Sequence, residues 1–354
     1  MDEQKKKLKR GKQFVFFCAA VVLILLLVEC SLRLFFVAAK GSSFFKPSEI
    51  VLSDYPELRQ IIASKNDTSS RFKILILSSS VFVERFGHVP SLLEERLRSK
   101  KLTDYVLYNA SDIAQTTRDS YIKHNIVSEQ NFDAIVIYDG MNETRANNCP
   151  PALFKKNYSH YAWYETRNLF VKYRSMMDIT VIPYSIEYFS KVLLQSLYRN
   201  RYLPIEAPRP DWIPFGAEIK TAASFQDNIE TIIHSNEGKK GKVILMTFAY
   251  YIPYNYSNKA FLDHALDYFY TEYSWPVQIW GNTQNVVLGI DTHNAIIRKL
   301  ASAYPFVEFI DMENIIPKKG EYFSDASHLS PKGSQLFAEV LANKIEELYR
   351  KKKQ

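Results

Sequence analysis

Apolar residues follow different patterns in different parts of this chain. From Phe14 to Val28 they run uninterrupted, the pattern of a helix with no polar face. Further on they come in short runs bounded by polar residues: Ile74–Leu77, Tyr105–Tyr108, Ala134–Tyr138, Val243–Phe248 and Phe306–Ile310. Each has the length of a strand buried on both faces, as in the middle of a parallel sheet. Between them, apolar residues recur at helical spacing over Ser91–Ser99, from the loop after residue 117 to about Ser128, over Phe225–His234 and over Asn294–Ala303. Leu336, Phe337, Val340, Leu341, Ile345 and Leu348 mark one face of a long closing helix, with Ser330 as its N-cap and Pro331 at its first position. Strand, polar loop and helix in repeated alternation predict an α/β fold: three layers, α/β/α, around a five-stranded, mainly parallel sheet.

Two stretches break the alternation. Residues 147–222 are crowded with aromatic residues and then with Pro204, Pro208, Pro210 and Pro214, which predicts a mostly helical insertion over one end of the sheet. Residues 250–288 form a second, irregular insertion. Before the α/β domain, placed at 71–350, residues 37–70 are mixed and polar and read as a tether with one short helix around Tyr55–Ala63.

The N-terminal apolar run covers only about 22 Å as a helix, short of a hydrocarbon core of about 30 Å. Extending it to Phe36 takes in Glu29 and Arg33, spaced to pair on one helical face and able to snorkel toward the outer interface. A cleaved signal peptide is the rival reading, with Val37 and Ala39 as cleavage pair, but these lie far beyond Val28 with charges between. Glu29 before Cys30 also argues against a lipid-modified cysteine. The segment 14–36 therefore reads as an uncleaved transmembrane signal anchor. The basic residues of segment 1–13 predict a cytoplasmic N-terminus and a periplasmic or extracellular main domain. The same cluster, with Arg350, Lys351, Lys352 and Lys353, accounts for most of the net charge of +7, so the middle of the chain is near neutral and nucleic acid is not an expected partner. Of three cysteines only Cys149 lies outside the N-terminal segment, which excludes an internal disulfide framework in the main domain.

The first strand ends in Ser78-Ser79-Ser80, at the strand end where open α/β sheets place ligand chemistry. Ser80 is a candidate nucleophile; alternatively the serines only cap a turn. Asp325 and His328 lie three apart before the closing helix. A tight turn at that spacing brings the carboxylate to one imidazole nitrogen and leaves the other to activate a hydroxyl. Many such pairs are only helix caps. Asn142, after the third strand and the sharp turn at Gly140, can aim amide donors at the same crevice, and the N–H groups of Ser80 and Ala114 complete a set able to hold an oxyanion. Taken singly, Asn142 and Ala114 read as ordinary loop residues. No phosphate-binding glycine loop, paired-histidine metal motif or Cys-x-x-Cys is present, so no cofactor is expected. Histidines 88, 124, 160, 234, 264 and 293 are scattered and read as surface or capping residues.

In order and spacing these blocks resemble the SGNH hydrolases, also called GDSL-type esterases and lipases, over most of Phe72 to Leu348 apart from the insertions. In that family a serine follows the first strand, a glycine the second and Gly-x-Asn-Asp the third, with Asp-x-x-His before the last helix. Here the matching residues are Ser80, Ala114, Gly140-Met141-Asn142-Glu143 and Asp325-Ala-Ser-His328. The departures are Ser78-Ser79 in place of Gly-Asp, alanine for the second-block glycine, and Glu143 for aspartate. The resemblance implies a flavodoxin-like sheet, catalysis by Ser80, His328 and Asp325, and an oxyanion hole of Ser80, Ala114 and Asn142. It further implies a serine esterase or O-acyltransferase acting on acyl, above all acetyl, esters such as those of envelope polysaccharide. The altered serine block keeps open a second reading, a catalytically degenerate binding or assembly component of a polysaccharide system. The acceptor and the oligomeric state are not legible.

Overall fold

The computed structural model describes residues 2–64, 71–204 and 207–354. It contains helices α1 (Asp2–Lys40), α2 (Leu58–Ala63), α3 (Val89–Ser99), α4 (Thr117–Val127), α5 (Met141–Ala146), α6 (Ala162–Met177), α7 (Ile182–Leu197), α8 (Thr221–Asn236), α9 (Asn258–Leu262), α10 (Thr283–Ala303), α11 (Met312–Ile315) and α12 (Pro331–Lys353). The strands are β1 (Phe72–Ser78), β2 (Tyr105–Asn109), β3 (Ala134–Tyr138), β4 (Lys242–Met246) and β5 (Val307–Ile310). The chain divides into two compact units. Residues up to Pro56 join Thr166–Leu197 in one, and Glu57–Glu165 joins Tyr198–Gln354 in the other.

The larger unit holds the sheet, in the order β2-β1-β3-β4-β5 with every pair parallel. The α/β expectation holds, and the continuous apolar runs have the expected cause: Ile74, Leu75, Ile76 and Leu77 of β1 are all buried, because helices cover both faces. Leu93 and Leu97 of α3 and Phe337, Leu341 and Ile345 of α12 pack against Ile74, Ile76, Val136 and Ile244 on one face. Helices α4, α8 and α10 lie on the other. Order 2-1-3-4-5 reverses direction between β1 and β3, so the loops after these two strands diverge and leave a crevice at their carboxyl ends.

Element boundaries differ from expectation mainly at α10, which begins at Thr283 rather than Asn294 and shortens the second insertion to match. Asn282 supplies the missed start signal, its side chain accepting from Asn285 N. Within the stretch 147–222, Thr166–Leu197 belongs to the smaller unit and the flanks to the larger.

In the smaller unit α1 carries a stretch, Lys9–Lys40, long and apolar enough to cross a membrane, with mean hydropathy 2.8 in its most apolar window. The segment read as a tether is packed where it is described. Ile50, Val51 and Tyr55 are buried, and Tyr55 lies under the Arg167 guanidinium. In the other unit α2 buries Leu58 and Ile61, and residues 65–70 lie outside the described residues. Glu29 and Arg33 pair as expected at 2.6 Å. They bond to the turn between α6 and α7.

Candidate active site

Ser80 stands immediately beyond β1 in a single helical turn, Ser80–Phe82. The three serines differ in environment. Ser78 ends the strand, buried, its hydroxyl donating to Tyr138 O at 2.6 Å. Ser79 is also buried, whereas Ser80 is half-buried, so it is the most accessible of the three.

That Oγ lies 2.8 Å from His328 Nε2, across 248 residues of sequence. His328 Nδ1 lies 2.7 Å from Asp325 Oδ2. The Asp325–His328 turn is held by the carboxylate itself: Oδ1 accepts from the N–H groups of Ser327 and His328, each at 2.8 Å, and Oδ2 accepts also from Trp275 N at 2.8 Å. Burial alone would raise the Asp325 carboxyl. The charge on a protonated His328 and the bonds from His328 and Ser327 outweigh it and hold Asp325 below the usual carboxylate range. An ionised Asp325 fixes the proton of His328 on Nδ1 and leaves Nε2 as acceptor for the serine hydroxyl. The Phe86 ring stacks on the imidazole at 4.5 Å between centroids and 17° between planes, and Arg85 lies over the faces of both Phe86 and Tyr273. Phe86 thus covers one face of His328, which is almost fully buried.

The end of β2 is tied to the Ser80–Phe82 turn, and the block after β3 to the loop that follows β2. Asn109 at the end of β2 donates to Phe82 O at 2.7 Å. Asn142, on the first turn of α5, donates one Nδ2 hydrogen to Gln115 O at 2.8 Å and accepts from Trp280 Nε1 at 3.0 Å, which fixes the amide plane beside the loop that carries Ala114. Ala114 is exposed and has φ +57°, the left-handed conformation for which glycine is favoured. The backbone of the second block is thus the one a glycine would take, with an alanine holding it. Gly140 has φ +154°, where an L side chain is strained, and a Cβ there would crowd Phe248 Cβ at 3.2 Å.

Several supports were not visible in the sequence. Lys123, fully buried, donates to Ala110 O at 2.5 Å and to Gln115 Oε1, and pairs with Glu57 at 2.5 Å, pinning both ends of the 110–115 loop. Glu143, in the place of the family's aspartate, is buried and accepts from Thr117 N at 2.5 Å, which puts a carboxyl at the N-terminus of α4. Burial pushes Glu143 up to about 7. His293, His124 and His160 are not surface residues but buried, and burial pushes each imidazole down to about 4. Neutral His293 bridges Thr221 Oγ1 at 2.9 Å and Gly140 O at 3.0 Å, bracing the turn before Asn142. The second insertion contributes Trp275 N and the Trp280 indole. Nothing local to those residues announces a role, because each acts through partners far away in sequence.

No family model matches this sequence, and no curated protein matches it. Solved structures similar to it include an acetyl xylan esterase, at 17% identity over 77% of this chain and 99% of that one, TM-score 0.41. The lipase/acylhydrolase from Enterococcus faecalis is similar at 15% identity over 78% and 95%, TM-score 0.42. A GDSL-like lipase from Bacteroides thetaiotaomicron is similar at 11% identity over 86% and 98%, TM-score 0.43.

Proposed function

We propose that this chain is a membrane-anchored serine ester hydrolase or O-acyltransferase of the SGNH type, acting outside the cytoplasm on small acyl esters. The observation that carries the proposal is the unbroken hydrogen-bond chain from Ser80 Oγ through His328 to Asp325 at a half-buried serine. In the reaction, Ser80 Oγ attacks the acyl carbonyl carbon while His328 Nε2 takes its proton. The carbonyl oxygen becomes an oxyanion, received by the N–H groups of Ser80 and Ala114 and by the Nδ2 hydrogen of Asn142 not given to Gln115. The intermediate then expels the alcohol, which takes the proton from His328, and leaves an acyl-Ser80 ester. Water in a hydrolase, or a second hydroxyl in a transferase, gives its proton to His328, attacks that ester and regenerates Ser80.

The preference for acetyl esters of an envelope polysaccharide comes from the family resemblance in the motif blocks. The anchor and outward orientation come from the apolar helix and the basic residues before it. A fluorophosphonate probe tests the core of the proposal, since it reacts only with a hydroxyl made nucleophilic by its neighbours. Wild type, Ser78→Ala and Ser79→Ala are expected to label, and Ser80→Ala to remain unlabelled. A folded wild type that neither labels nor turns over p-nitrophenyl acetate would remove the enzyme reading and leave the binding or assembly component.

A further inference from the structure

The charges at Glu29 and Arg33 interrupt an otherwise apolar helix that runs on through Phe36 to Ala39 before Lys40. With Lys40 and Lys12 as the flanking cations, the stretch between them is about 40 Å of helix, close to a hydrocarbon core plus both interfaces. On that register the two charges fall inside the outer half of the bilayer, where each would need a partner. The structure supplies one. The Glu29 carboxylate caps the start of α7, accepting from Val181 N at 2.9 Å and Thr180 Oγ1 at 2.8 Å. Arg33 closes the end of α6, donating to Asp178 O and Ile179 O, each at 3.1 Å, and to Phe44 O at 3.0 Å. An acid at a helix N-terminus and a base on the carbonyls just past the end of the preceding helix are each in favoured places.

The α6–α7 turn therefore sits at the depth of residues 29–33, not beyond the end of the anchor. Its outward side is apolar: Ile179 at the tip is 79% exposed, and Phe45, on the strand of chain that Arg33 holds, is 81% exposed. Asp178, the charged residue of the tip, is engaged by Ser48 N at 2.9 Å and Ser48 Oγ at 3.0 Å. From the tip, α7 rises beside the last turns of α1, its Tyr184 and Tyr188 rings against Phe36 and Lys40 over Tyr188, an arrangement of tyrosine and lysine suited to the headgroup level. On its open side Ile186, Phe189, Leu193 and Leu197 form one exposed stripe.

We propose that the α6–α7 hairpin is a second membrane contact: its tip and the first half of the α7 stripe enter the outer leaflet alongside α1, and Leu193 and Leu197 reach the headgroup layer. The occupant of this apolar face is lipid, because the face is continuous with the lipid-facing surface of the anchor and begins at a depth fixed by the Glu29–Arg33 pair. The inference rests on α1 spanning the bilayer.

The test uses the full chain reconstituted in phosphatidylcholine/phosphatidylglycerol vesicles. Cys18→Ser and Cys30→Ser remove the exposed thiols, and buried Cys149 stays unlabelled. An environment-sensitive fluorophore is placed on single cysteines at Ile24, Ile179, Ile186, Leu193 and, as an aqueous reference, Lys240, all exposed positions that tolerate a label. Quenching by nitroxide-bearing lipid is compared with quenching by iodide. The expected result is lipid quenching several-fold above the Lys240 reference at Ile179 and Ile186, falling toward Leu193, with iodide in the reverse order. Lipid quenching at Ile24 but not at Ile179 or Ile186 overturns the hairpin contact and keeps the anchor. Absence of lipid quenching at Ile24 overturns the anchor itself. Shielding of Ile186 and Leu193 from both quenchers gives the face to a protein, a second copy or another chain, and also overturns the proposal.

Discussion

Replacing Asp325 by asparagine probes the site where its geometry is most constrained. The carboxylate accepts five hydrogen bonds, from Ser327 N, Ser327 Oγ, His328 N, Trp275 N and His328 Nδ1, and an asparagine of the same shape has only one acceptor oxygen. Either orientation of the amide sets its NH2 against donors. With Oδ1 kept on the two backbone groups of the turn, the NH2 faces Trp275 N–H and forces Nδ1 of His328 to become the acceptor. The imidazole proton then moves to Nε2, which can no longer take the proton of Ser80. Only the minor tautomer remains competent, so kcat/KM should fall by about a thousandfold to ten-thousandfold, which is about 4–5.5 kcal/mol of transition-state stabilisation. His328→Ala, which removes the base in every tautomer, should be slower still, and the double variant no slower than His328→Ala alone, because Asp325 then has nothing to orient. The buried donor left facing the NH2 should also cost about 1–3 kcal/mol of stability, so turnover of p-nitrophenyl acetate is read well below the melting temperature of each variant by circular dichroism. A folded Asp325→Asn within about tenfold of wild type, or a double variant with additive losses, would refute the relay.

Two further outcomes follow from the loops around Ser80. At φ +57° the alanine at position 114 is strained by about 1–2 kcal/mol, and the entropy cost of glycine returns about half of that, so Ala114→Gly should raise the thermal midpoint slightly; a lowered midpoint would show that the loop does not hold this conformation in solution. Glu143 is raised by burial to about 7, so its contribution to stability is full below the ordinary value of 4.5 and is lost as pH rises toward and through about 7. Urea titrations from pH 5 to 8 should show wild type losing stability in this window and Glu143→Gln, which cannot ionise, losing less; parallel curves would refute the buried-acid account.

How much the sequence determined by itself depended on the range of the interaction concerned. The strands were legible because burial on both faces leaves an apolar run wherever it occurs, and β3 was delimited to the residue, Ala134–Tyr138. The cap at Ser330 and the Asp325–His328 turn were legible because both are bonds between near neighbours in the chain. The membrane-length helix needed only composition. What the tertiary structure decided were bonds closed over long separations: Trp275 N on Asp325, Trp280 on Asn142, Lys123 on Glu57, and the α6–α7 turn on Glu29 and Arg33. It also decided that Ser80 and not its two neighbours meets His328, and that Ala114 takes a glycine's backbone angles. A residue's own propensity and the period of its neighbours are written where it stands. Its partner across the fold depends on the path of the whole chain, and a polar side chain looks the same in sequence whether it meets water or a buried carboxylate.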